Sequence, residues 1–164
     1  MKSRIRQALI EELNLATFRV PKQVDVSTEE IGALRNVQWQ DLQIEDLGGQ
    51  GNIAYLKVNF PFETNASDGI VVDIQVIGGQ VYQIHIHMSD NLQRMGLGYK
   101  IYKKLISEFG HLYSGKGRRM NPNVDKIWDR LKQDNDYVCM SNDNGDLCMT
   151  KDHPEPESLI NFIR

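Results

Sequence analysis

The chain is poor in cysteine and has no long apolar run, and each shortage excludes a class of protein. Cys139 and Cys148 are its only cysteines in 164 residues. With no second pair at metal-ligand spacing, they suggest neither a disulfide framework nor a zinc site, and both thiols are expected to be reduced. No apolar stretch approaches the roughly 20 residues that span a bilayer, and the first residues carry an amphipathic pattern in place of a secretion signal, so a cytoplasmic protein without membrane contact is expected. Charge of one sign is scarce as well. A net charge of −3 gives no global pull toward nucleic acid, which is therefore a disfavoured partner, and any anion site must be local. What is present is ordinary: 40% hydrophobic and 25% charged residues, enough for one packed domain over 1–164. Helices are expected within 1–38, a core sheet with the functional site within 39–150, and a tail at 151–164.

Ile5, Leu9 and Leu13 recur at helical spacing and predict an amphipathic helix from Lys2 to Asn14. Ser27-Thr28-Glu29-Glu30 has the spacing of a capping box, followed by Ile31 and Leu34 on one face. From Trp39 the pattern shortens to that of strands, expected at Gln40 to Leu47, Asn52 to Phe60, Ile70 to Ile77 and Val81 to Met88, with turns at Gly48-Gly49 and Gly78-Gly79. Leu97, Ile101, Leu105, Ile106 and Phe109 predict a long helix from Gly96. His111 to Ser114 is then a short strand, parallel to the one ending at Met88, because such crossovers are right-handed within one sheet. Asn121 and Pro122 mark the start of a further helix carrying Val124, Ile127, Trp128 and Leu131. Tyr137 to Met140 and Leu147 to Thr150 predict a closing hairpin; with its turn centred on Asn144-Gly145, Cys139 would face Thr150 and Cys148 would face Ser141.

A strand that runs through Gln93-Arg94-Met95-Gly96-Leu97-Gly98 directly into a helix gathers unpaired amides and the positive helix end in one place, which suits a diphosphate. The bland alternative is a glycine-rich helix start. The Gln-x-x-Gly-x-Gly motif, placed between a fourth strand and the following helix, resembles that of the GNAT superfamily of acyl-CoA-dependent N-acyltransferases, and the likeness extends over Gln40 to Met149. It implies a GNAT-like α/β (α+β) fold: a mixed, mostly antiparallel sheet of six or seven strands, helices on both faces, and a parallel, splayed central strand pair. It also implies acetyl-CoA as co-substrate, an amine as acceptor and no metal. Coenzyme contacts carried over by the motif are Ile86, His87 and Met88 for the pantetheine arm, Gln93, Arg94, Met95, Gly96, Leu97, Gly98 and Tyr99 for the pyrophosphate, and Asn121 and Trp128 in the next helix. The family's pattern there ends on a tyrosine that protonates the leaving thiolate, where this chain has Trp128; an indole is no acid near neutral pH. Tyr99, Tyr137 or water must take that role, or the fold binds coenzyme without efficient turnover. The stretch from His111 to Leu131 also resembles acetyltransferase-like proteins of tailed bacteriophages, which implies a host cytoplasm.

Acyl transfer needs a base for the amine. The strand before the turn has no carboxylate, so His85 and His87, which share a face, are the candidate catalytic bases alongside Tyr137 as acid; Asp73 and Glu63 acting through water are alternatives, as is a purely structural histidine pair. A two-histidine metal site lacks a third ligand. Gly110 to Gly117 approaches a phosphate loop, but Gly117 stands where Ser or Thr should hold magnesium. Lys116, Arg118 and Arg119 are either a solvated loop or a clamp for phosphate or an acidic partner. Two functions follow: an N-acyltransferase acting by direct attack, or a GNAT-like binding module engaging a protein or nucleic acid. Acceptor identity and oligomeric state, a homodimer included, stay open.

Overall fold

Residues 19–114, 122–143 and 145–152 are described by the computed structural model, apart from the side chains of Ile84 and Asn142. The expected helix over 2–14, the basic loop, Asn121 and most of the tail lie outside them. Ser27 begins α1 (Thr28–Asn36) with the capping box expected: its Oγ accepts from the Glu30 N–H at 3.1 Å, and the Glu30 carboxylate accepts from the Ser27 N–H at 3.3 Å. Trp39–Asp41 form a single tight turn, closed by the Leu42 N–H on the Trp39 carbonyl, so the first strand starts later than expected, at β1 (Gln43–Gln50).

The pairing of β1 with β2 (Ile53–Asn59) slips between Asp46 and Gly49. Asp46 Oδ1 accepts from the Gly48 N–H at 2.8 Å, and Leu47-Gly48 bulge opposite Tyr55, which moves the hairpin turn to 51–52, beyond its expected place. β3 (Ile70–Ile77) and β4 (Gln80–Met88) join across Gly78-Gly79 as expected. α2 (Leu97–Phe109) then crosses to β5 (His111–Tyr113), and α3 (Pro122–Gln133) leads to the hairpin of β6 (Tyr137–Asn142) and β7 (Gly145–Thr150). The seven strands form one sheet in the order β1-β2-β3-β4-β5-β7-β6, antiparallel throughout except for the parallel neighbours β4 and β5. This is the mixed α/β arrangement expected.

The described helices share one face of this sheet. Leu97, Ile101, Tyr102, Leu105 and Ile106 of α2 and Trp128 and Leu131 of α3 are buried with Val72, Ile74, Val81, Leu112 and Cys148 in one core cluster, which also takes in Leu34 of α1. Complete burial of each such aliphatic side chain contributes about 1.5–3 kcal/mol. Tyr82, Tyr113, Leu147 and Met149 belong to a smaller cluster on the opposite face. No described helix is long and apolar enough to cross a membrane.

One expectation is overturned at the closing hairpin. Asn142 pairs with Gly145, so the turn is centred one residue earlier than the Asn-Gly signal implied. A shift of one position in each strand brings Cys139 directly opposite Cys148, with Cα atoms 4.1 Å apart, and the two are joined by a disulfide in place of the free thiols expected.

Candidate active site

Between β4 and α2 the chain makes a short turn at Asp90–Leu92 and is pinned by Leu92 and Met95, both buried. Gln93 Nε2 donates to the Met88 carbonyl at 3.1 Å, tying the motif to the strand end. Arg94 has φ 65°, the only positive φ outside glycine among the described residues, and Gly96 follows at φ 76°. Alternation of left-handed residues with extended or helical ones turns successive N–H groups toward one side. Gly96 is the N-cap of α2 and has no side chain to accept from the first-turn amides, so those of Leu97, Gly98 and Tyr99 begin the helix without intrahelical partners. A Cβ on Gly98 would lie 2.9 Å from Ile127 Cδ1 and 3.5 Å from Met88 Cε, so this glycine also lets α3 approach the strand end. Packing is a second reason for the glycine that sequence alone does not reveal.

Next to this turn the sheet opens. β4 and β5 are in register at Tyr82 and Tyr113, whose rings stack at 4.8 Å, but β5 ends there while β4 continues to Met88. The register of β4 on β3 shifts by one between Asp73 opposite His85 and Ile74 opposite Gln83, which makes Ile84 a bulge. A bulge bends its strand and increases the twist. Beyond it, β4 has no strand on its β5 side among the described residues, and this open edge leads straight to the amide turn.

The bulge also sorts the side chains. Ile86 and Met88 pack against the core on the helix face, and His85 and His87 project from the opposite face with ring centroids 5.3 Å apart. Across from His85, buried Asp73 accepts from Arg19 Nε at 2.6 Å, and the Arg19 guanidinium lies 4.5 Å over the Tyr55 ring. Burial holds the His85 imidazole below its ordinary range, opposed by nearby Asp73 and assisted by His87. His85 is therefore neutral at neutral pH, as a base must be.

The remaining candidates are dispersed. Tyr137 stands on the helix face of β6, three strands from β4, with its ring 5.7 Å from Lys103 Nζ; burial, then Asp134, push its hydroxyl upward. Tyr99 donates to Asp134 Oδ2 at 2.6 Å, and burial and that bond raise it to about 12. Trp128 is fully buried and meets Tyr102 edge-on at 5.5 Å. Glu63 is exposed. The histidines and the turn thus come from one strand and its end, while Tyr137 and Trp128 occupy the helix layer. Asp146 was not foreseen: this buried carboxylate accepts from Ser141 Oγ and pairs with Lys132 Nζ at 3.0 Å, and its N–H donates at 2.8 Å to Ser114 Oγ, where β5 ends. Its position just after a turn signal gave no hint of burial. Among the described residues, no group of three or more His, Cys, Asp or Glu could hold a metal ion.

No family model matches the sequence, and no curated protein sequence does. Among solved structures, the chain is similar to the ribosomal-protein-S18-alanine N-acetyltransferase from Escherichia coli, with 15% identity and a TM-score of 0.41 over 76% of this chain and 86% of that one. It is also similar to a protein described as a GNAT-family acetyltransferase from Bacteroides thetaiotaomicron, with 10% identity and a TM-score of 0.46 over 99% of this chain and 90% of that one.

Proposed function

We propose that the chain is an acyl-CoA-dependent N-acyltransferase that moves an acetyl group from acetyl-CoA to an amine. The observation that carries this reading is the uncapped amide turn at the start of α2, set at the end of a strand edge that the Ile84 bulge leaves open. The coenzyme pyrophosphate lies on the amides of Leu97, Gly98 and Tyr99, and the pantetheine arm runs along residues 86–88 as an added strand. Thioester chemistry belongs to the co-substrate, and the chain supplies position and a base.

In direct attack the amine nitrogen bonds to the acetyl carbonyl carbon, the C–S bond breaks, and its electron pair leaves on sulfur. The amine gives up one proton and the thiolate takes one. His85, neutral and on the strand beside the open edge, is the base this arrangement favours, with His87 on the same face 5.3 Å away. Tyr137 is too far across the sheet to share that centre, and the Tyr99 hydroxyl is committed to Asp134, so the thiolate takes its proton from water.

Thermal-shift titration with acetyl-CoA and CoA, beside a Gly96→Asp variant, tests the reading. Aspartate tolerates left-handed backbone and has open space at this position, and its carboxylate would cap the very amides offered to the pyrophosphate. A saturable rise in melting temperature that is absent in a folded Gly96→Asp protein is expected. No rise at millimolar coenzyme would remove acyl transfer as the function.

A further inference from the structure

Beside the first turns of α2, a cleft of about 250 Å³ opens between the end of α1, the tight turn after it, and α3. Arg35, Trp39, Tyr99, Lys100, Lys103 and Arg130 are among its walls. Lys103 is neutralised locally, with Nζ 3.0 Å from Asp134 Oδ2 and 3.8 Å from Asp136 Oδ2. The other three cations are not: among the described residues, no carboxylate lies within ion-pair distance of Arg35, Lys100 or Arg130. Lys100 Nζ donates to the Arg35 carbonyl at 2.8 Å, and the Arg130 guanidinium lies 4.0 Å over the Tyr99 ring. Burial, then Arg130, hold the Lys100 ammonium below its ordinary range. Three positive charges without a carboxylate in ion-pair distance among the described residues thus line one partly enclosed place, in a chain whose net charge is −3. Such an arrangement is relieved when an anion enters it.

We infer that this cleft binds a small phosphorylated ligand carrying one planar ring, its phosphate taken by Arg35, Lys100 and Arg130 and its ring laid against Trp39. Arginine and lysine suit phosphate through charge-assisted bonds, and an indole face accepts any nucleobase. A volume of about 250 Å³ suits one phosphate and one ring, so a mononucleotide fits and a polynucleotide does not. The inference does not rest on acyl transfer.

AMP is the probe. Trp39 lines the cleft and Trp128 is buried in the core, so ligand-dependent quenching of tryptophan fluorescence reports Trp39. Saturable quenching by AMP is expected, with adenosine binding at least ten-fold more weakly. Lys100→Met and Arg130→Ala should each raise the Kd about ten-fold or more with circular dichroism unchanged; Arg35→Ala, at an exposed position, serves if either fails to fold. Gly96→Asp should leave AMP affinity unchanged. If Gly96→Asp abolishes quenching while the cleft variants keep it, the phosphate sits on the α2 turn and the inference falls. It falls equally if adenosine binds as well as AMP, or if millimolar AMP gives no saturable signal. Competition by CoA would make the ligand the nucleotide end of that coenzyme, and simultaneous binding would make it a free nucleotide.

Discussion

Arg19 reaches across to Asp73, a fully buried carboxylate on β3, and donates to it from Nε at 2.6 Å while also donating from a terminal nitrogen to the Val72 carbonyl at 3.0 Å. Arg19, from the extended segment ahead of the Ser27 cap, therefore neutralises the charge that faces His85. Removing the arginine alone leaves that carboxylate buried without its cation. Arg19→Ala should lower stability by about 2–4 kcal/mol, the cost of breaking a buried pair reduced because the Arg19 side chain is 27% exposed. Adding Asp73→Asn to Arg19→Ala should restore part of the loss in urea unfolding; a double variant no more stable than the single one would refute the account.

His85 gives the stability a definite pH dependence. Its pKa is lowered in the folded state by burial, so between that lowered value and the ordinary value of 6.5 the unfolded chain binds more protons than the folded one. Stability contributed by neutral His85 is present above 6.5 and is lost as pH falls through this window. The urea midpoint should thus decline on acidification below 6.5 more steeply in the wild type than in His85→Gln. Under the proposed chemistry, the acid limb of the kcat/KM profile should also lie below 6.5, and His85→Gln should remove it. Equal slopes in the two proteins would mean that His85 does not titrate as described.

The bond between Cys139 and Cys148 closes a loop with a sequence separation of 9. Protein alkylated in denaturant without reductant should carry no label, and reduction should lower stability by about 2–3 kcal/mol, the loop-entropy value for so short a ring. Two alkylated cysteines in unreduced protein would contradict the pairing.

Much of this architecture was legible because its signals are local. Ser27 and Glu30 cap α1 as their spacing requires, Gly78-Gly79 turns where a two-residue hairpin needs it, and the apolar stripe of α2 became its buried face. What escaped was set by registers and long-range contacts. The Asn-Gly signal located the last hairpin but not its centre, and one residue of error separated two cysteines that are in fact opposite. Asp134, Arg35 and Trp39 carry no motif; they matter through α2, which gathers them from distant parts of the chain. A trace of the β4 bulge was nevertheless visible, since the apolar positions change from odd at Val81 to even at Ile86 and Met88.

That change of parity gives Ile84 an importance unrelated to its own side chain. Because strand faces alternate with period two, one supernumerary residue sets which side each later residue occupies. Were Ile84 to join the regular pleat in place of bulging, the two sides would exchange, turning imidazoles inward against the helices and putting Ile86 and Met88 out on the open face. The chemistry available beside the turn is thus encoded as a reading frame of the strand as much as by the histidines themselves.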